Sequence, residues 1–141
     1  MRCFTKLISL SSLLVILLGC DVSDDSATYD LIALPISEVN LPDTFKLNER
    51  YIFNISFVRP DDCTGFRGFE TVAEETETHT VRHIMAIGAQ FHDGLCPEAP
   101  ETLQTSIQFI CQYSSPYLFR FYTGEDAYGN PQYLEIEVPV E

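Results

Sequence analysis

Apolar and polar residues alternate with a period of two along several short stretches of this chain. The clearest stretch is residues 134–141, where leucine, isoleucine and valine alternate mainly with glutamate. Successive side chains of a β-strand point to opposite faces of a sheet, so this alternation predicts strands with one buried face. The same alternation is found over residues 51–57, 107–113 and 119–121. No segment carries a long stripe with the 3.6-residue helical period, which favours an all-β fold.

Three further stretches complete the predicted set of strands. Residues 81–91 are rich in small and apolar side chains, which is typical of a central strand. Residues 32–39 are predicted to form an edge strand, because Pro35 lacks the amide hydrogen that a central ladder requires. Residues 66–72 show the pattern less clearly. We therefore predict a single antiparallel β-sandwich of immunoglobulin-like type with about seven strands, although the chain has no tryptophan to form the core residue of true immunoglobulin domains.

The first 20 residues differ from the rest of the chain. Arg2 and Lys6 precede an apolar run over residues 7–18. The run has the length of a signal-peptide core and is shorter than the roughly 20 residues that span a bilayer. It closes with Leu17-Leu18-Gly19-Cys20, which resembles the lipobox of bacterial lipoproteins. An uncleaved anchor and an ordinary secretory signal are the alternatives.

The lipobox resemblance implies cleavage between Gly19 and Cys20 and acylation of Cys20. Two or three acyl chains would hold the chain to membrane lipid essentially irreversibly. The chain also resembles small uncharacterised envelope lipoproteins of Bacteroidota, a resemblance that is diffuse over the domain and supplies no functional residues. From the lipobox and the strand pattern, we expect residues 1–19 to be a signal peptide, 20–30 the lipidated cysteine and acidic tether, and 31–141 the β-sandwich domain.

The residues behind Cys20 bear on which membrane is reached. Asp21 resembles an inner-membrane retention signal of some Gram-negative bacteria. Ser23-Asp24-Asp25 resembles the acidic signal that sends Bacteroidota lipoproteins to the cell surface, although here it is displaced by two residues from its usual place beside the cysteine. We favour the outer membrane of the cell envelope, with surface exposure left open.

The charge of the chain limits its partners. The formal net charge is −13 for 141 residues, and loss of the basic signal segment would make it more negative. Such a surface repels nucleic acid and anionic headgroups, so we expect neither as a partner. The length fits one domain with a sizeable core.

Three cysteines follow Cys20. Cys63 follows a turn and Cys96 stands between Gly94 and Pro97, so both are predicted to lie in loops. Cys111 lies on the apolar face of a predicted strand, where a thiol behaves as a small hydrophobe. Because an exported chain meets an oxidising compartment, we predict a Cys63–Cys96 disulfide and a buried Cys111.

Two groups of residues are candidate metal sites. His79 and His83 are four residues apart, but the glutamate of an H-E-x-x-H motif is missing and the region is predicted to be a strand. Asp61-Asp62 and Glu125-Asp126 offer hard oxygen ligands for calcium, but neither matches a calcium-loop pattern. We therefore assign no metal, no cofactor and no catalytic residue.

The function expected from sequence is a lipid-anchored envelope protein with a non-catalytic interaction or structural domain. Its partner would be another envelope protein or a glycan. One alternative is a glycan-binding accessory lipoprotein that uses exposed tyrosines near the last hairpin. These are Tyr117, Tyr122, Tyr128 and Tyr133. The other alternative is a metal-assisted hydrolase that uses His79 and His83.

Overall fold

The computed structural model describes residues 28–92 and 94–141. This part of the chain forms eight strands and contains no helix long and apolar enough to cross a membrane. The strands are β1 (Tyr29–Leu34), β2 (Ile36–Asn40), β3 (Arg50–Asp61), β4 (Thr64–Glu75), β5 (Thr80–Phe91), β6 (Glu98–Ile110), β7 (Tyr117–Glu125) and β8 (Pro131–Val138). The predicted all-β sandwich is confirmed.

The eight strands form two sheets that pack face to face. One sheet has five strands (β1, β4, β5, β7 and β8), and the other has three in the order β2-β3-β6. Strand β5 is central, because β4 pairs with one of its edges while β1 and β7 share the other. Its small and apolar sequence had indicated this central position.

One strand pair departs from the antiparallel arrangement that the sequence predicted. Strands β5 and β7 are parallel, with register from Thr80↔Tyr117 to Ile84↔Phe121. The reason is the path of the chain between them. Strand β6 runs back through the three-stranded sheet, so the chain re-enters the five-stranded sheet in the direction that it had in β5.

The predicted strand over residues 32–39 is two strands divided at Pro35. Strand β1 pairs with β5 in the five-stranded sheet, whereas β2 pairs with β3 in the other sheet. Proline fixes φ and donates no hydrogen bond, so the ladder is interrupted there and the chain changes sheets. Strand β1 also begins at Tyr29, so the last two residues assigned to the tether belong to the sandwich.

Aromatic side chains fill the space between the sheets. Phe45 lies at the centre, although it belongs to the connection between β2 and β3. Five aromatic rings surround it with centroids at 4.7 to 5.9 Å. The main chain of Phe45 is held by the C-terminal residues, since its amide donates to Pro139 at 2.9 Å and its carbonyl accepts from Glu141 at 2.8 Å.

The two ends of the sandwich are distinct. We call the end where the described chain begins the entry end. There Tyr29 pairs with Phe91, and the amide of Phe91 donates to the carbonyl of Cys63 at 3.0 Å. At the opposite end, Tyr117 pairs with both Thr80 and Val138, so the C-terminal residues lie far from the entry end.

Candidate functional site

The structure confirms the predicted disulfide between Cys63 and Cys96. The two Cα atoms are 5.5 Å apart, and the bond closes a loop of 33 residues that contains β4 and β5. Cys111 is a free thiol with no exposed surface, as predicted, and burial raises its pKa. The disulfide ties the entry end together.

A buried carboxylate lies in the corner where β3 passes into β4. The Thr64 hydroxyl donates to Asp61 at 2.7 Å, and the Gln90 amide donates to its other oxygen at 2.8 Å. The Thr64 hydrogen bond, with further donors from Gln90 and two main-chain amides, lowers the pKa of Asp61 against the opposing effect of burial. Both carboxylate oxygens are therefore satisfied by groups of the corner itself.

An arginine joins this corner to the neighbouring strand β6. The Nη2 atom of Arg59 lies 2.9 Å from Asp62 and 2.7 Å from Glu101. Both acids are more than half exposed, so each pair contributes at most about 1 kcal/mol. Their role is to fix the position of the corner.

The acids considered as a calcium site are not brought into one site. Asp126 lies in the β7–β8 connection, where its carboxylate accepts from the main-chain amides of Tyr128 and Asn130 at 2.8 and 2.9 Å. Hydrogen bonds from Asn130, its side chain first, lower the pKa of Asp126. Within residues 28–92 and 94–141, no group of three or more His, Cys, Asp or Glu side chains could hold a metal ion.

His79 and His83 contact different acids. The Nε2 atom of His79, in the turn before β5, lies 3.3 Å from Glu137. The Nε2 atom of His83, on β5, lies 3.6 Å from Glu74, and its ring meets Tyr133 edge-on at 6.1 Å between centroids. The geometry is that of two separate surface contacts, one reaching across β7 to β8 and the other to the adjacent strand β4.

The four tyrosines near the last hairpin do not share one surface. Tyr117 is fully buried, and its hydroxyl accepts from the main-chain amides of residues 112 and 113 at 3.0 and 3.1 Å. Tyr122 is also buried, whereas Tyr133 is 40% exposed and Tyr128 is 91% exposed. Tyr117 and Tyr122 are therefore part of the core, so only Tyr128 and Tyr133 are exposed enough to stack against a glycan.

The outer face of the paired strands β3 and β6, over residues 52–58 and 102–108, is an uncharged surface that sequence reasoning did not identify, and we call it the neutral face. It is bordered by two charges, Glu38 of β2 opposite Ser56 and Arg50 opposite Ile110. Asn54 lies opposite Ser106, and Ser56 lies opposite Gln104, whose amide donates to the Ser56 hydroxyl at 3.3 Å. The outward side chains at described positions 52, 54, 56 and 58 of β3 and 102, 104, 106 and 108 of β6 include no charge. Ile52, at one end of this face opposite Gln108, is 67% exposed.

This neutral face is unusual for a chain with 21 acids and eight bases. The sequence signal was present in the alternation of Gln104, Ser106 and Gln108 along one strand. The uncharged residues of β6 form one face with those of β3 because of the register between the two strands. That register cannot be read from the alternation within a single strand. The neutral face and the free edge of β6 beside it are the candidate interaction site.

The predictions for the N-terminal segment, including Gly19 and Cys20, fall outside the described residues. Comparisons of the chain with known protein families, with curated protein sequences and with solved structures find no match.

Proposed function

We propose that this chain is a lipid-anchored cell-envelope lipoprotein whose β-sandwich is a non-catalytic interaction or structural domain. The observation that carries the proposal is the position of the lipobox relative to the fold. Strand β1 begins at Tyr29, so a lipid on Cys20 would be joined to the sandwich by a segment of at most about 30 Å. The entry end would then lie close to the membrane.

The disulfide supports an exported protein. Disulfides persist in oxidising compartments outside the cytosol, and Cys63–Cys96 lies at the end of the sandwich where the chain enters. Export is also the step that a signal peptide ending at Gly19 would direct.

The use of the polar groups supports interaction rather than catalysis. The two carboxylates with lowered pKa values already accept hydrogen bonds within the fold: Asp61 from Thr64 and Gln90, and Asp126 from its own turn. By contrast, the neutral face presents the polar side chains of Asn54, Gln104 and Ser106 to solvent, although Ser56 itself is buried. The patch on β3 and β6 suits contact with another neutral polar surface, since its outward side chains carry no charge that would have to be desolvated.

The anchor is tested by comparing Cys20→Ala with Cys3→Ala in cells labelled with palmitate. We expect label and membrane association in the wild type and in Cys3→Ala, because residue 3 lies in the basic region of the signal. Cys20→Ala is expected to lose the label and to remain uncleaved.

The same experiment separates the alternatives. If the wild type, like Cys20→Ala, is unlabelled and uncleaved, the segment is a membrane anchor and the lipoprotein proposal is wrong. If the wild type is cleaved and unlabelled, the segment is an ordinary secretory signal.

A further inference from the structure

The free edges of the two sheets are protected unequally. An exposed strand edge offers unpaired amide and carbonyl groups, and proteins block such edges with short strands, charges, proline or bulges. Strands β1 and β2 are short, with six and five residues. Strand β4 carries Arg67, Glu70 and Glu74 along its edge, and β8 carries Glu135 and Glu137.

Strand β6 is the exception. It is the longest strand of the fold, with 13 residues, and among the described strands it pairs with β3 alone. Its blocking features are confined to one end, where Glu98, Pro100 and Glu101 lie beside an irregularity in the register with β3. From Thr102 to Ile110 the strand has no charge, no proline and an unbroken register.

The apolar side chains of this segment are only partly covered. Leu103, Ile107 and Phe109 face the core and pack against it, but each keeps some exposed surface because no strand lies beyond β6. A neighbouring strand would cover them and would also pair the free main-chain groups.

We propose that the free edge of β6 pairs with the same edge of a second copy of this chain. The two β6 strands would be antiparallel about a two-fold axis at Ser106, which joins two three-stranded sheets into one of six strands. In this register Leu103 lies opposite Phe109 of the other copy on the inner face, and Gln104 lies opposite its Gln108 on the outer face. Leu103 and Phe109 thus form an apolar pair and the two glutamines an amide pair, while Thr105 lies opposite Ile107 as a pair of β-branched side chains.

The charge distribution favours this register. Glu98 and Glu101 fall beyond the paired segment, so no two acids are placed opposite one another. A register shifted far enough to pair the whole strand would bring these glutamates into the ladder. The uncharged residues 102–110 of one copy therefore pair with the same residues of the other copy.

The proposed dimer rests on the interaction role proposed above and names a second copy of the chain as the partner. It does not depend on the lipid at Cys20. The eight strands, the core and the disulfide all lie within residues 28–141, so this part of the chain carries the whole sandwich. It can be studied in solution without the N-terminal segment.

The test is sedimentation equilibrium of residues 28–141 over a concentration series. We expect a monomer–dimer equilibrium that shifts toward dimer as salt is added, because salt screens the repulsion between two acidic copies. Ser106→Lys would place two lysines opposite each other at the two-fold axis and weaken the dimer by about fivefold or more.

Asn54→Lys is the matched control. It adds the same charge to the same face, one strand further from the edge, and the two copies of residue 54 would be separated by three strand spacings, about 14 Å. This distance exceeds the screening length of about 8 Å at physiological salt, so the control is expected to dimerise like the wild type.

Cross-linking of the full-length chain in membranes gives a second measurement. Across the two-fold axis the Cα atoms of residue 106 would be about 4.5 to 5.5 Å apart, within the range that a disulfide bridges. Ser106→Cys is expected to form a covalent dimer under oxidation, whereas Asn54→Cys is not.

Three results would overturn the proposal. The first is a wild-type monomer at every concentration up to about 1 mM, the range of very weak complexes. The second is equal weakening by Ser106→Lys and Asn54→Lys, which would mean that the neutral face rather than the edge is the contact. The third is a dimer unaffected by Ser106→Lys. These three results come from sedimentation of residues 28–141, which do not include Cys20, so failure of the lipid anchor cannot produce them and is distinguishable.

Discussion

Replacing both disulfide cysteines tests how the entry end is stabilised. The double variant Cys63→Ala/Cys96→Ala removes a cross-link that closes a loop of 33 residues. The loop contains β4 and β5, and β5 is the central strand of the larger sheet. In the loop-entropy relation, a closed loop of this length contributes about 4 kcal/mol by restricting the unfolded chain. That is a large share of the roughly 5 to 15 kcal/mol that stabilises a typical domain.

The assay is urea unfolding of residues 28–141, followed by the β-sheet circular dichroism signal. We expect the free energy of unfolding to fall by about 4 kcal/mol in the double variant. We also expect the dependence on urea to become steeper, because an unfolded chain without the cross-link exposes more surface.

Reduction of the wild type supplies the matched control, since it breaks the same bond without changing a side chain. Reductant is expected to lower the stability of the wild type to that of the double variant and to leave the variant unchanged. A loss below about 1 kcal/mol with an unchanged urea dependence would refute the loop-entropy account. It would mean that the β4–β5 hairpin is held closed equally well by its strand pairing.

Three smaller perturbations address other parts of the fold. Tyr117→Phe removes the hydroxyl that accepts two main-chain amides and is expected to cost about 1 to 2 kcal/mol in urea unfolding, while an unchanged stability would show that water replaces it. Gly88→Ala would bring a Cβ atom to 2.8 Å from the Thr64 side chain, so we expect a loss of about 1 to 3 kcal/mol, whereas the control Gly65→Ala meets nothing within 4 Å. Because the pKa of Asp61 is lowered in the fold, its contribution is present above the ordinary carboxyl pKa of 3.8 and is lost as pH falls through the lower folded value. Asp61→Asn should therefore unfold with a weaker acid dependence than the wild type, and an equal dependence in both proteins would contradict this.

The strands were predictable where one face is buried and the other is in water. Residues 134–138 alternate strictly, and β8 occupies them. The small apolar residues of 81–91 identified β5 as central, and both of its edges are indeed paired. In each case the signal lies within a single strand, where alternation alone determines which side chains are buried.

Features that depend on distant parts of the chain were not predictable. Phe45 lies among turn-forming residues, yet it is the centre of the core because Pro139 and Glu141 hold its main chain in place. Pro35 correctly predicted an edge position, since β1 and β2 each pair with one strand, but the single predicted strand is two strands that belong to different sheets. The parallel pairing of β5 with β7 likewise follows from the path of β6.

In the candidate site, too, features within one segment were predictable and features that depend on strand pairing were not. The loop positions of Cys63 and Cys96 predicted the disulfide, since each cysteine stands beside turn residues. The neutral face requires the register that places Asn54 beside Ser106, and that register is set by the whole of the β3–β6 pairing. Residues of one strand indicated the polarity of the face but not its extent.

The division of the first strand at Pro35 has a mechanical consequence. The chain enters beside Phe91, and β1 runs away from that end, so tension on the N-terminal side acts along the strand axis. The six β1–β5 residue pairs would then be loaded in shear and resist together, rather than separating one after another as in a peeled hairpin. Beyond Pro35 the load passes to β2 and hence to the other sheet. A pull at the entry end is thus distributed over both layers of the sandwich.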